Sequence, residues 1–366
     1  MEVRERDTEG YVNHNQDKIK VIEPSEHRKY TANIWKDNEC IEQVFEYTTP
    51  PLVDIKFEDA IGVSGTSGFD ECGLQSVIQG DKIYNSGFGK QANAFRTNQA
   101  MWDNYSRSFN IKIEDYRQHI FNEPVNQWFT TTGHYWHYFC EDLPTIRALR
   151  ENSYPIIVNP LKSWQKEALE FFPDILERMI EIEIPCSFRS PEIHVFTHPS
   201  ISNRGKSAKW AARYLKQNMI SDEYAYSIKN IYISRADANA RHIENENDLM
   251  KVLEKYDFKS YNLTSLTLCE KISLFAGAEN IVGPTGAGFT HLLFANSPNV
   301  IDFNHAFEVN EECGWNNLGD VNNATWHTIA AEKSLPPSSE RPKSKNGNMI
   351  VNAKTAETVL KLLQHS

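Results

Sequence analysis

The chain has no membrane-length apolar run. A spanning helix needs about 20 consecutive apolar residues, and no such stretch occurs in the 366 residues. Basic excess is also missing. The formal net charge is −11, which argues against nonspecific binding to nucleic acid or to an anionic membrane surface, although a local basic cluster stays compatible with it. The six cysteines, Cys40, Cys72, Cys140, Cys186, Cys269 and Cys313, include no Cys-x-x-Cys pair. That scatter disfavours a zinc site and points to reduced thiols in a reducing compartment. The opening run MEVRERDTEGYVNHNQDK is polar and lacks the apolar stretch of a secretory signal. The expectation is a soluble, cytoplasmic protein with at most peripheral contact at the inner face of a membrane, and no nucleic acid partner. No internal repeat is visible. Sequons at Asn104, Asn262 and Asn323 are what chance supplies in a chain of this length.

Aromatic residues are abundant, with 15 Tyr, 19 Phe and 8 Trp, and the length suffices for two α/β domains with separate cores. Residues 1–30 read as a loose arm. From about 31 to 150 come short strand-like runs and Gly/Ser/Asn-rich loops, then a helix over 135–150 and a buried strand at 154–158. Beyond 160 strand and helix alternate. Strands are expected at 192–196, 230–234, 259–263, 280–282 and 299–303. Helices are expected at 164–172, 206–219, 246–256, 268–276 and 290–295. This order predicts a mainly parallel sheet covered on both faces, with ligands at the carboxyl ends of its strands. Residues 334–346 read as a linker and 353–364 as a final helix. The domain boundaries follow as 1–159, 160–345 and 346–366.

Three constellations carry chemistry. Gly283, Pro284, Thr285, Gly286, Ala287 and Gly288 form a small-residue turn between an apolar strand and a helix. Such a turn lets backbone approach a ligand and aims helix N–H groups at an anion. The plain alternative is a tight turn whose glycines serve packing alone. Upstream, Ser234-Arg235 ends a strand, followed by Arg241 and the pair Asn245-Glu246. An arginine just past a buried strand suits bidentate phosphate recognition, while salt bridges to Asp237, Glu244 or Glu246 are the simpler reading. Together the two segments suggest a phosphorylated or nucleotide-linked substrate. The third constellation is His134, Trp136, His137, Glu141 and Asp142, just before Leu143-Pro144. On a helix His137 and Glu141 share a face, and such a pair can take a proton from an alcohol. A buried aromatic helix with satisfied polar groups is the alternative. The spacing is not that of a zinc-binding His-Glu-x-x-His helix.

In this order the segments resemble glycosyltransferase family 61, of the capsular or surface polysaccharide type, over residues 127–305. The family pattern has a His and an acidic residue before Leu-Pro, matched by His137, Glu141, Leu143 and Pro144. Its Ser-Arg, later Arg and Asn-Glu correspond to Ser234, Arg235, Arg241, Asn245 and Glu246. Its Gly-x-His-Gly-Ala-Gly turn corresponds to 283–288, with Thr285 where the family has His. The resemblance implies an α/β protein of GT-B fold, with two Rossmann-like domains facing across a cleft and a last helix returning to the first of them. It implies an inverting glycosyltransferase with no metal and no cofactor. Its donor would be a nucleotide sugar, UDP-linked by family expectation, and its acceptor a hydroxyl of a glycan or glycolipid. Glu141, His137 and Asp142 would be catalytic, with Glu141 favoured as base. Ser234, Arg235, Arg241, Asn245, Glu246 and 283–288 would form the donor site, with Asn245 and Glu246 positioning the ribose or the arginines, and His134 and Trp136 would bind acceptor. Two other readings compete: a polysaccharide pyruvyltransferase, and an inactive glycan- or nucleotide-binding relative, which Thr285 favours.

Overall fold

The computed structural model describes residues 18–36, 38–66, 73–79, 82–85, 117–128, 130, 135–201, 206–220, 228–238, 240–305, 314–333 and 347–363. His134 and the 334–346 linker lie outside these. The fold is mixed α/β with several sheets containing parallel strands, and it divides into two units, 1–26 with 49–203 and 27–48 with 204–366.

In the first unit a six-stranded sheet runs in the order Ile19–Glu23, Leu52–Glu58, Glu192–Phe196, Val125–Gln127, Ile156–Val158, Met179–Glu181. Its first two pairings are antiparallel and the rest parallel. Ile19–Glu23, which the sequence suggested was part of a loose arm, pairs antiparallel with Leu52–Glu58, with a register shift between Val21 and Glu23. Glu192–Phe196 belongs here too, beyond the boundary drawn at residue 160. A second, five-stranded sheet runs Lys82–Asn85, Gly73–Gln79, Ile61–Thr66, Cys186–Arg189, Arg117–Ile120. Val53, Ile55, Phe57, Ile193 and Val195 from the first sheet share one core with Val77, Cys186 and Phe188 from the second. Alternation does the sorting, because Asp54, Lys56 and Glu58 point to the opposite face of their strand. At Gly62 a Cβ would come 2.0 Å from Phe188 Cζ, so only glycine lets that ring fill the core.

The second unit is a sheet in the order Lys259–Asn262, Asn230–Ser234, Asn280–Pro284, Asn299–His305, Thr325–Lys333, His27–Lys36, Glu39–Thr48, with Met349–Ile350 pairing Thr325–Lys333. The first five strands are all parallel. Numbered by chain order they stand 2-1-3-4-5, a doubly wound order whose switch point lies between Asn230–Ser234 and Asn280–Pro284. Tyr232, Val282, Ile301 and Phe303 face a core built with helices Glu246–Leu253 and Ala353–Leu363. The latter helix, expected to return toward the N-terminal half, packs here on Glu246–Leu253 and Thr325–Lys333. On the other face Phe289 meets Trp326 at 5.8 Å between ring centroids, placing the helix Ala287–Phe294 against the sheet.

Two features organise this sheet beyond its apolar strands. Asn230, Asn280 and Asn299 sit in register at the starts of three neighbouring strands. Asn280 Nδ2 donates to Asn230 Oδ1 at 2.7 Å and Asn299 Nδ2 to Asn280 Oδ1 at 2.9 Å. The hairpin 27–48 adds the last two strands. Its turn contains Asn38 at φ 65°, a left-handed position asparagine tolerates. Arg28 anchors the hairpin by donating to both Asp320 oxygens at 2.8–3.0 Å.

Candidate functional site

The segment expected to be one helix over 135–150 changes type three times. It is α-helical at Tyr135–His137, a π turn at Tyr138–Asp142, 3-10 at Leu143–Thr145, and α-helical again at Ile146–Leu149. Pro144 has no N–H to give a normal helical bond, and Leu143 N–H reaches back to Tyr138 O, closing the wider turn. The turn is seated on aromatic rings. Trp164 lies 5.1 Å from Tyr135 and 5.2 Å from Tyr138, centroid to centroid, and Tyr138 OH donates to Gln165 O at 3.1 Å. Trp128 Nε1 donates to Thr145 Oγ1 at 2.7 Å, and that hydroxyl donates to Asp142 O at 2.6 Å. Burial, with the Asp142 charge second, pushes the Tyr138 phenol well above its ordinary value.

Two acidic residues are thereby buried side by side. Glu141 is 1% exposed and Asp142 0%, and a buried carboxylate needs a partner. For Glu141 it is His137, whose Nδ1 lies 2.8 Å from Oε2. The His137 side chain keeps 26% of its surface open, and the Trp136 ring meets its ring edge-on at 4.6 Å. Trp136 itself is half-buried. Asp142 faces His198, with Nε2 3.6 Å from Oδ1. Sequence reasoning missed His198. It follows Glu192–Phe196 by a short connection, and no periodicity ties it to residue 142.

In the second unit the arginine and glycine segments meet. Asn230–Ser234 and Asn280–Pro284 are neighbours, so the turns after them lie together at the switch point. A Cβ on Gly286 would stand 2.3 Å from Arg235 Nη1 and 3.1 Å from its Cζ. Glycine at 286 is therefore what lets the guanidinium lie across the turn. Arg235 Nε donates to Ala240 O at 3.1 Å. Burial, and then the like charge of Arg241, lowers the Arg235 pKa to about 10. Arg241 has φ 61°, a left-handed backbone uncommon outside glycine and asparagine. Gly283 and Gly288 are close-packed too, with added Cβ atoms 3.0 and 3.1 Å from Ile233 atoms.

The expected helix at 290–295 is a 3-10 helix that starts earlier, at Ala287. Ala287 and Gly288 open it, so their N–H groups have no acceptor within the helix. Thr285 turns inward, 5% exposed, and its N–H donates to Phe303 O at 2.9 Å. Pro284 ends its strand with no N–H to offer. Asn245 spends its amide on the backbone of Val351: Nδ2 donates to Val351 O at 2.8 Å, and Val351 N–H donates to Oδ1 at 3.0 Å. Glu246 Oε1 accepts from Tyr232 OH and from Ser234 Oγ, both at 2.8 Å. Burial first, and the Glu246 charge second, raise the Tyr232 phenol well above its usual range.

Among the described residues no group of three or more His, Cys, Asp or Glu side chains could hold a metal ion, and no helix is long and apolar enough to cross a membrane.

Residues 135–301 match the model of the family described as Glycosyltransferase 61. The match covers somewhat less than half of the chain, yet it spans His137, Glu141 and Asp142 together with the whole arginine–glycine region. It supports the resemblance to that family, and the family implies glycosyl transfer in general terms, from a sugar donor to a glycan acceptor. No curated protein matches the chain.

Proposed function

We propose that this protein is an inverting glycosyltransferase that moves a sugar from a nucleotide donor, UDP-linked, to a hydroxyl of a glycan or glycolipid acceptor. The observation that carries the reading is the family match over residues 135–301, because that one segment contains both a His–carboxylate pair and an arginine-lined anion turn. The GT-B arrangement, metal-independent transfer and a cytoplasmic place in surface polysaccharide synthesis are parts of the same proposal.

His137 is assigned as the base, in place of Glu141. Glu141 is 1% exposed and cannot reach a bulky acceptor, whereas His137 is partly open and hydrogen-bonded to Glu141 through Nδ1. With Nδ1–H directed at the carboxylate, Nε2 accepts the proton of the acceptor hydroxyl. The acceptor oxygen forms its bond to the anomeric carbon as the bond from that carbon to the diphosphate oxygen breaks. Arg235, Arg241 and the N–H groups of Ala287 and Gly288 receive the charge that develops on the departing diphosphate. Asp142 supports the turn from inside. Trp136 offers an aromatic edge to the acceptor, and His134 is assigned to the same role from sequence.

Transfer assays with UDP-sugars test the assignment. His137→Ala should lower kcat by about 10²–10⁴, and Arg235→Ala by about 10²–10³, with cooperative melting retained in both. Full transfer rates in folded variants would mean that the site lies elsewhere. A thermal shift with UDP that EDTA leaves unchanged supports the donor class.

A further inference from the structure

Glu246 begins the helix Glu246–Leu253, where an acidic side chain suits the helix dipole. Its position makes a direct contact with a diphosphate unfavourable, since two anions close together in a half-buried place repel each other. Its hydrogen bonds show another use. One carboxylate oxygen gathers two hydroxyls, Tyr232 OH from a fully buried residue and Ser234 Oγ from the last position of the strand, each at 2.8 Å. The Ser234 oxygen also accepts the N–H of Ala236 at 3.1 Å. The backbone is thus pinned on both sides of Arg235. The guanidinium is held at a further point, by Ala240 O on Nε, and its Nη1 lies close over Gly286.

We propose that Glu246 is a positioning residue of the anion site: through Ser234 it fixes the turn that carries Arg235 over Gly286, and it does not itself touch the nucleotide. The proposal rests on the reading of that site as the diphosphate pocket. Tyr232 is the buried foot of the arrangement and Ser234 its coupling. A flexible arginine would lose rotamer freedom on every binding event, whereas one held in advance loses little.

The test measures binding of UDP and of inorganic pyrophosphate to the wild-type protein and to Glu246→Gln, Glu246→Ala and Ser234→Ala. Melting of each variant and amide exchange at Ala236 are followed in parallel. A glutamine carbonyl can still accept both hydroxyls, while alanine cannot. Glu246→Ala and Ser234→Ala should each weaken both ligands about ten-fold, the effect of losing one hydrogen bond to a charged group, and Glu246→Gln should recover most of that loss. Equal losses in Glu246→Gln and Glu246→Ala would overturn the proposal, because the carboxylate charge would then act on the ligand directly. A loss for UDP with none for pyrophosphate would also overturn it, since Glu246 would be reading the ribose. Binding of neither ligand by the wild-type protein would refute the diphosphate reading. In that case exchange at Ala236 still decides the positioning role: faster exchange in both alanine variants, restored by glutamine, upholds it, and unchanged exchange ends it.

Discussion

The two units bury histidines to opposite electrostatic ends. In the first, His194 lies under a carboxylate: Nδ1 is 2.9 Å from Asp54 Oδ1, and Nε2 is 3.5 Å from Glu192 Oε2. Burial alone would lower its pKa, but the two carboxylates outweigh that and raise it. In the second unit His291 packs between Phe275 and Phe294. Burial, helped by the Lys271 charge, lowers its pKa to about 3. His327 accepts the Trp35 Nε1–H at 3.1 Å, and burial takes its pKa down to about 4. All three are deeply placed, so burial by itself does not decide charge. What decides it is whether an acid stands within hydrogen-bond reach.

The sharpest way to break this contrast is acid. His291 and His327 are neutral in the folded chain and take up protons on unfolding. Their contribution is therefore full above the unfolded value of 6.5 and is lost as pH falls toward about 3 and 4. A His291→Phe variant removes one such site. Between pH 7 and pH 4 it should lose less stability than the wild type, by on the order of 3 kcal/mol. Denaturant melts across that range measure it, and parallel curves would show that His291 is not held neutral.

Glycine gives a second comparison. Gly62→Ala forces a methyl into Phe188 in the core of the first unit, and should cost about 1–3 kcal/mol or more with no special effect on nucleotide binding. Gly286→Ala meets instead the Arg235 guanidinium, and it also puts a side chain at φ 158°, ψ −178°, a backbone region nearly confined to glycine. It should cost about 1–3 kcal/mol of stability and, unlike Gly62→Ala, weaken UDP binding. Calorimetric melting paired with UDP titration separates the two, and intact UDP binding in Gly286→Ala would refute the distinction.

The smallest effect belongs to His194. Its raised folded pKa means that its contribution is present below pH 6.5 and is lost as pH rises through the folded value. His194→Asn should therefore be more damaging at pH 6 than at pH 8, the reverse of the trend for His291. A loss that did not vary with pH would make His194 a packing residue only.

Much of the second unit was legible along the chain. Asn230–Ser234, Asn280–Pro284 and Asn299–His305 stand where continuous apolar runs placed strands, because strands buried on both faces need no alternation. The small-residue turn and the Ser-Arg segment were legible for the same local reason. The hairpin 27–48 was not legible as part of this sheet, since its pairing to Thr325–Lys333 joins positions about 300 residues apart. The π turn was hidden as well. Helical periodicity predicts a regular helix through 135–150, and only the missing N–H of Pro144 hints at the wider turn. Asn245 looked like a ligand residue by its place beside Glu246, and its amide proves to be bonded to the Val351 backbone.

By itself the sequence determined the parallel strands of the second unit, the strand-to-helix turns after them and the chemical character of the residues at those turns, because these depend on neighbours a few positions away. Only the tertiary structure decided which turns meet. Arg235 lies over Gly286 because the strand order brings their strands together. Asp142 faces His198, and Glu141 is closed off while His137 stays open, because packing around Trp164 fixes how the turn is seated. These are contacts between distant parts of the chain, and no local pattern of residues encodes them.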